Sequence, residues 1–574
     1  MKKCKKLVSL ISLLLCAVMM FAMTGCEDLN VESPIIDNVE VDTTKAQLYI
    51  ANYNGGFGTE WLTNAAKRFE EKYKDVEFLP GTKGVQILIS NSKTSGDTWI
   101  STADSSINEI FFTENFIYGD YISQNALLDI TDVVTDNLSA STVLQSVTGS
   151  TIDLGDTGTV EDKLTEDQKA YYDVDGKYYA LPHYLGTMGI VYDIDLFNDE
   201  KLYLAADKNN GNNGFIIRDT DARSNGPDGV AGTNDDGLPA TFEEFYALCA
   251  YMKEKSIVPL AWSVSAYMNK LLDTVYAQNA GYEEYMLNYS LNGTSNTLLD
   301  DNLQPMGPVE ITPENAYLLA RQEGLYASLD FIYNIVTKQL YGAQYCYSSA
   351  MTHLEMQEEF LKSRFNAKPD IAMVVEGNWW ENEAAAVWTD MEKTPGAAKS
   401  ERNLGFMPMP FLNESLVGTK RTLVDANYSA AFIKAAIAEE KIPLAKLFLQ
   451  FTSTEAELQH FTTCVGQPRN FIYDLTDEQY NSLSTFQKTV WDLKYEADVV
   501  YPYSDTPLYS AYPSDFRFEH FYESAYLGIS YAQPYQDFYK SASSGLDAKQ
   551  FWLGHISLKN KSAWDSAYGP NYGE

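Results

Sequence analysis

The chain has 574 residues, 45% hydrophobic and 13% aromatic, with a formal net charge of -37. So acidic a balance excludes nucleic acid and anionic lipid surfaces as electrostatic partners and suits a neutral or cationic ligand. The length holds three or four units at roughly 150 residues each, and the chain shows neither an internal repeat nor a low-complexity block.

Lys2, Lys3, Lys5 and Lys6 precede a nearly continuous apolar run over residues 7–23, and Thr24, Gly25 and Cys26 follow. This order reads as a secretory signal over residues 1–25. Its end resembles a bacterial lipobox, with Cys26 as the lipidated first residue of the mature chain. An uncleaved anchor is the competing reading, since the run almost spans a bilayer. The expected location is extracytoplasmic, anchored to the bacterial cell membrane through Cys26. Removing residues 1–25 takes away four lysines and no acids, which moves the net charge to -41. Residues 26–44 are acidic and polar and read as a flexible tether. Beyond Cys26, the mature cysteines are Cys249, Cys346 and Cys464. An odd number at wide spacing implies neither a disulfide framework nor a metal pattern.

Residues 45–53 alternate like a strand and run into Asn54 and a glycine turn, Gly55-Gly56-Phe57-Gly58. Trp61, Ala65, Phe69 and Tyr73 then recur every four residues, a helix with one buried face. Residues 76–78 and 85–89 read as strand pieces. The GGFG turn lacks the lysine and spacing of a phosphate loop and reads as a backbone-lined loop at the mouth of a cleft. Residues 107–112 form another apolar strand, with Glu114 and Asn115 just beyond its end. Asp175-Gly176 marks a hairpin between tyrosine-rich strands; the second of these enters Pro182, His183 and Tyr184, and residues 189–192 continue as buried strand.

Residues 209–239 crowd Asp219, Asp221, Asn225, Asp228, Asp235 and Asp236 among glycines, the hard oxygen donors that calcium loops use. Arg223 occupies a ligand place and no glutamate closes a twelve-residue loop, so this is not an EF-hand. A structural calcium ion and a solvated acidic turn are the two readings. Thr241 and Glu244 form a capping box for a helix that buries Phe242, Phe245, Leu248 and Met252. A strand over residues 256–263 carries Trp262 either to a cleft or to the core. Residues 270–365 read as helical and tyrosine-rich, with a polar loop near residues 292–302. The run Ile371 to Val375 is a strand buried on both faces, ending in Glu376, Gly377, Asn378 and the pair Trp379-Trp380. Ligands collect at strand carboxyl ends in open α/β sheets, and an indole face beside amides and carboxylates suits a sugar ring with its rim of hydroxyls. The alternative is that the two tryptophans are core residues opening a helix. After residues 405–410, Asn427 and Tyr428 precede an alanine-rich helix, and Pro443 opens another.

The segments YNGGFGTEWL, INEIFF, DGKYYALPHY, GIVYDIDLF, DIAMVVEGNWW and GFMPMP occur in this order. In this arrangement the chain resembles the extracellular solute-binding proteins, family 1, of carbohydrate ABC importers, from about residue 48 to residue 471. The resemblance implies an α/β, two-lobed periplasmic-binding-protein-like fold (type II), with discontinuous lobes and a hinge crossed about three times, near residues 182–186, 405–410 and 467–471. The lobes would be residues 45–182 with 408–470, and 186–405 with 474–574. It implies a monomer that closes on a carbohydrate, an oligosaccharide by expectation, and presents it to a membrane permease. Trp379, Trp380, Asn54, Glu114, Asn115, His183, Tyr184, Trp262, Asn378 and Tyr428 are the candidate ligand-binding residues. The rival class is a secreted glycosidase using two of the 79 carboxylates. GxSxG, HExxH and CxxC are absent, and the five histidines are scattered.

Overall fold

The computed structural model describes residues 40–569 except 264, 344, 347–350, 367, 502–505, 513–544 and 546. The signal segment, Cys26 and most of the tether lie outside the described residues.

The strands that matter for the site are β1 (Ala46–Tyr53), β2 (Val85–Ser92), β3 (Ile110–Thr113), β4 (Ala180–Pro182), β5 (Met188–Asp193), β6 (Val258–Ala261), β7 (Ile371–Gly377), β8 (Leu404–Met407), β9 (Arg421–Val424), β10 (Ala430–Ile433) and β11 (Ala497–Val500). They form two principal sheets. The first has the order β2-β1-β3-β10-β4, and the second β8-β5-β7-β6. In the first sheet, β1 runs parallel to β2 and β3, while β10 enters antiparallel between β3 and β4. In the second, β7 is parallel to β6 and antiparallel to β5, which pairs in turn with β8. Helices cover both sheets, so the fold is α/β and two-lobed. Each sheet draws strands from distant parts of the chain.

Local chemistry accounts for most elements. All seven residues of β7 are buried, as a central strand covered on both faces requires. Helix α1 (Glu60–Lys72) buries Trp61, Leu62, Ala65, Ala66 and Phe69. Helix α2 (Phe242–Glu254) begins where the Thr241 hydroxyl accepts from the Glu244 N–H. At the expected hairpin, Asp175 and Gly176 both take positive φ, 55° and 77°, as a two-residue turn between twisted strands demands.

Three expectations are corrected. Residues 76–78 form no strand: Phe78 is buried, while the Val76 carbonyl accepts from Gly84 N in a turn that feeds β2. The alanine-rich stretch after Phe432 is not helical. It leaves β10 through turns, and α-helix begins only at Ile442 beside Pro443. The chain also does not return to the first sheet at residues 405–410. Arg421 of β9 pairs with Asp235, and Thr422 N donates to Gln278. The passage between the sheets therefore falls at residues 425–429, just before β10.

Candidate functional site

The carboxyl ends of β1, β3 and β4 and the start of β10 face the carboxyl end of β7 and the start of β5. Gly55 follows β1 so closely on Glu114 that an added Cβ would lie 2.5 Å from Glu114 Oε1 and 2.5 Å from the Tyr53 ring. A side chain there would have to displace Glu114 or Tyr53. Gly56, at φ 132°, lays its backbone against the other lobe, where an added Cβ would stand 3.4 Å from Glu383 Cβ. The glycine turn thus brings a carboxylate from each lobe to one place.

On the first lobe, the Tyr184 hydroxyl donates to Glu114 Oε1, and Asn427 Nδ2 donates to the Tyr184 hydroxyl oxygen at 3.1 Å. Lys270, which comes from a helix packed on the second sheet, donates from Nζ to the Ala426 carbonyl at 3.2 Å. Burial pushes the Glu114 carboxyl up to about 8; Glu383 and Asp425 add to the rise, and Lys270 and Lys93 oppose it. Burial likewise raises Asp425 to about 7, against N–H donors at Asn427, Tyr428 and Gly186 and the charge of Lys270.

On the second lobe, Gln357 Nε2 donates to Glu376 Oε1 at 3.2 Å and to Glu383 Oε2 at 2.8 Å. His353 Nε2 lies 3.3 Å from Glu383 Oε1. Burial, then the charge of Glu383, holds Glu376 well above the usual carboxylate range. The Trp379 ring folds back over Gly377, where an added Cβ would meet it at 2.3 Å, and stands edge-on to Tyr267 at 6.5 Å. Tyr53 titrates high, near 12, because of burial and then Glu114 and Glu383. Three aromatic rings and at least three carboxylates from two lobes share this junction.

The sequence-derived candidates divide. Glu114, Asn115, Tyr184, Tyr428, Asn54 and Trp379 cluster at the strand ends. Asn115 N donates to the Asn427 carbonyl and Phe116 N to that of Tyr428. Tyr428 holds φ 46°, a left-handed conformation that costs a bulky residue energy and gathers at functional sites. Four candidates serve the fold instead. Trp380 is wholly buried against Phe360, Trp388 and Phe486. Trp262 is wholly buried and meets Tyr341 at 5.3 Å. His183 lies in an aromatic box of Trp61, Phe112, Tyr184 and Phe461, and burial holds it well below the usual imidazole range. Asn378 stitches the end of β7 to the crossing segment, through the Leu185 carbonyl at 2.9 Å and Thr187 N at 3.1 Å. Tyr53, Tyr267, Lys270, Asp425, Gln357 and Glu383 had escaped the sequence reading. Only Lys270, a lone lysine in an otherwise largely buried helix (Ser265–Ala280), carried a local signal.

The acidic loop does not gather its six oxygen donors about one point. Asp219 pairs with Lys201 at 2.8 Å, Asp221 with Arg218 at 2.8 Å and Asp235 with Arg421 at 3.3 Å. Asp228 and Asp236 accept from Val230 N and Gly232 N, and Asn225 donates to Gly229 O. Among the described residues no group of three or more His, Cys, Asp or Glu side chains is placed to hold a metal ion. These carboxylates do not fit a calcium cage, because basic side chains and turn N–H groups occupy them. EDTA is therefore expected to leave the melting temperature unchanged. A fall of several degrees, restored by calcium, would mean that the ion pairs give way to a cation.

No family model matches the sequence, and no curated protein matches it. Among solved structures, the chain is similar to a chitin oligosaccharide binding protein at 14% identity and a TM-score of 0.49, with 92% of this chain and 99% of that chain covered.

Proposed function

We propose that this protein is a lipid-anchored extracytoplasmic solute-binding protein that captures a carbohydrate between its lobes and delivers it to the permease of an ABC importer. One observation carries the reading: each lobe contributes both polar groups and an aromatic ring to one junction. Glu114, Tyr184 and Asn427 come from one side, Gln357 and Glu383 from the other, with Tyr53, Tyr267 and Trp379 among them. A sugar needs this combination. Its C–H face removes most water against a flat ring, and its hydroxyls, once desolvated, each need a partner. A ligand touching both lobes stabilises the closed form by its differential affinity for it.

Cargo must be released to the permease, which suits micromolar affinity, about -8 kcal/mol. A panel of mono- and oligosaccharides in a thermal-shift screen, followed by calorimetry, tests the reading. A bound sugar at a hundredfold excess over Kd should add about 2.7 kcal/mol of stability, and chromatography should recover it uncleaved. Cleaved products would move the assignment to a glycosidase built on the carboxylates. The anchor has its own test. Cys26→Ser is expected to leave the membrane fraction, and a parent chain whose N-terminal residue is an intact Met1 would refute acylation at Cys26.

A further inference from the structure

Several buried carboxylates of this fold are matched by cations. Asp193 meets Arg402 at 2.6 Å, Asp235 meets Arg421 at 3.3 Å, Glu457 meets Arg68 at 2.6 Å, and Asp156 meets Lys163 at 2.7 Å. Glu376 and Glu383 have no such partner. Among the described residues neither forms an ion pair with a lysine or arginine, and the one basic neighbour is His353. A single amide, Gln357 Nε2, is shared between the two carboxylates. Gln357 and Glu376 are both wholly buried, and Gln357 Oε1 and Glu376 Oε2 have no hydrogen-bond partner. When Glu376 is ionised, this group of side chains holds more acceptors than donors, in a position where an unmet polar atom costs about 1–3 kcal/mol.

We infer that the junction is built for a ligand with a protonated amine, seated between Glu376 and Glu383; resting on the carbohydrate reading above, that ligand is an amino sugar. An ammonium group offers three donors and no acceptor, the complement of what the site lacks. A sugar hydroxyl brings an acceptor of its own and relieves the excess less well. The surroundings agree. Tyr267 and Tyr53 lie within electrostatic reach of Glu383, and Trp379 stands beside Tyr267, so the rings can face a cation with their electron-rich surfaces. Glu114 brings a third carboxylate across the cleft. Lys270 is bound to the Ala426 carbonyl and acts on Glu114 and Asp425.

Calorimetry on the full folded chain decides the matter, using glucosamine oligomers, N-acetylglucosamine oligomers and glucose oligomers of equal length, with spermidine as an amine that is not a sugar. The expected result is that glucosamine oligomers bind at least about tenfold tighter than the two neutral series. Both Glu376→Gln and Glu383→Gln should abolish that preference while keeping some neutral-sugar binding. Should Glu376→Gln fail to fold by its melting curve, Glu383→Gln decides alone, since Glu383 lies at the end of a short helix. Neutral oligomers binding as tightly as the amine series, or a preference that survives both variants, would overturn the inference and leave the carbohydrate reading standing. Spermidine bound with no sugar of any series would keep the ammonium site and overturn the carbohydrate reading. Silence from all four probes would overturn both.

Discussion

Trp380→Ala is expected to destabilise the protein by about 3–5 kcal/mol and to leave the affinity of the folded fraction for its ligand unchanged. The indole has no exposed surface. Its ring meets Phe360 at 5.9 Å, Phe486 at 5.8 Å and Trp388 at 6.2 Å. It belongs to a cluster with Val191 and Val374 from the second sheet, beneath helix α3 (Thr485–Tyr495). Truncation removes one of the two tryptophans of that cluster and leaves a cavity that β7 and its neighbours are too constrained to fill. Trp379→Ala should cost both stability and binding. That ring is only 5% exposed and belongs to the main core cluster, yet it lies over Gly377 at the interlobe face, so its loss should also cost about 2 kcal/mol of binding, roughly thirtyfold in Kd. Urea unfolding and calorimetry on both variants separate the roles. Two variants that bind like the parent would place both rings in the core. Weakened binding by Trp380→Ala at full stability would reverse the assignment.

That contrast shows why the tryptophan pair could not be resolved from sequence. The two residues stand where a strand ends and a helix starts, and the side-chain direction there follows neither a two-residue nor a 3.6-residue period. The two rings enter different core clusters, Trp379 at the interlobe end of one and Trp380 inside the other. Regular elements were more legible. The run Ile371 to Val375 became β7, and the spacing of Trp61, Ala65 and Phe69 became a buried helix face, because burial on a regular element leaves a periodic record. Residues 76–78 and the alanines after Phe432 misled for the same reason: their composition suits a regular element, but close packing of a turn decided otherwise. In the site, Glu114 and Tyr184 could be found because they follow strand ends directly. Gln357, Glu383, Lys270 and Asp425 reach the same junction from separate elements, and only the way the two sheets face each other brings them together.

Replacing Glu114 by glutamine is expected to change the pH dependence of stability in a defined direction. The parent carboxyl rises from its ordinary 4.5 to about 8 in the folded protein, chiefly because burial strips water from the charged form. Glu383 and Asp425 add repulsion; Lys270 and Lys93 offset part of it. The folded state therefore holds this proton more tightly than the unfolded chain does. Where the native state binds more protons, stability falls as pH rises. The contribution is complete below about pH 4.5, is lost progressively up to about pH 8, and is flat beyond. Charging the buried group costs on the order of 5 kcal/mol at most. Glutamine keeps an acceptor for the Tyr184 hydroxyl and never charges, so it escapes this loss. Melting curves of parent and Glu114→Gln should coincide near pH 4.5 and separate as pH rises, with the variant the more stable by several kcal/mol near pH 8. Parallel curves across this range would show that Glu114 is charged and solvated in the folded protein, and that the lobes do not close over it.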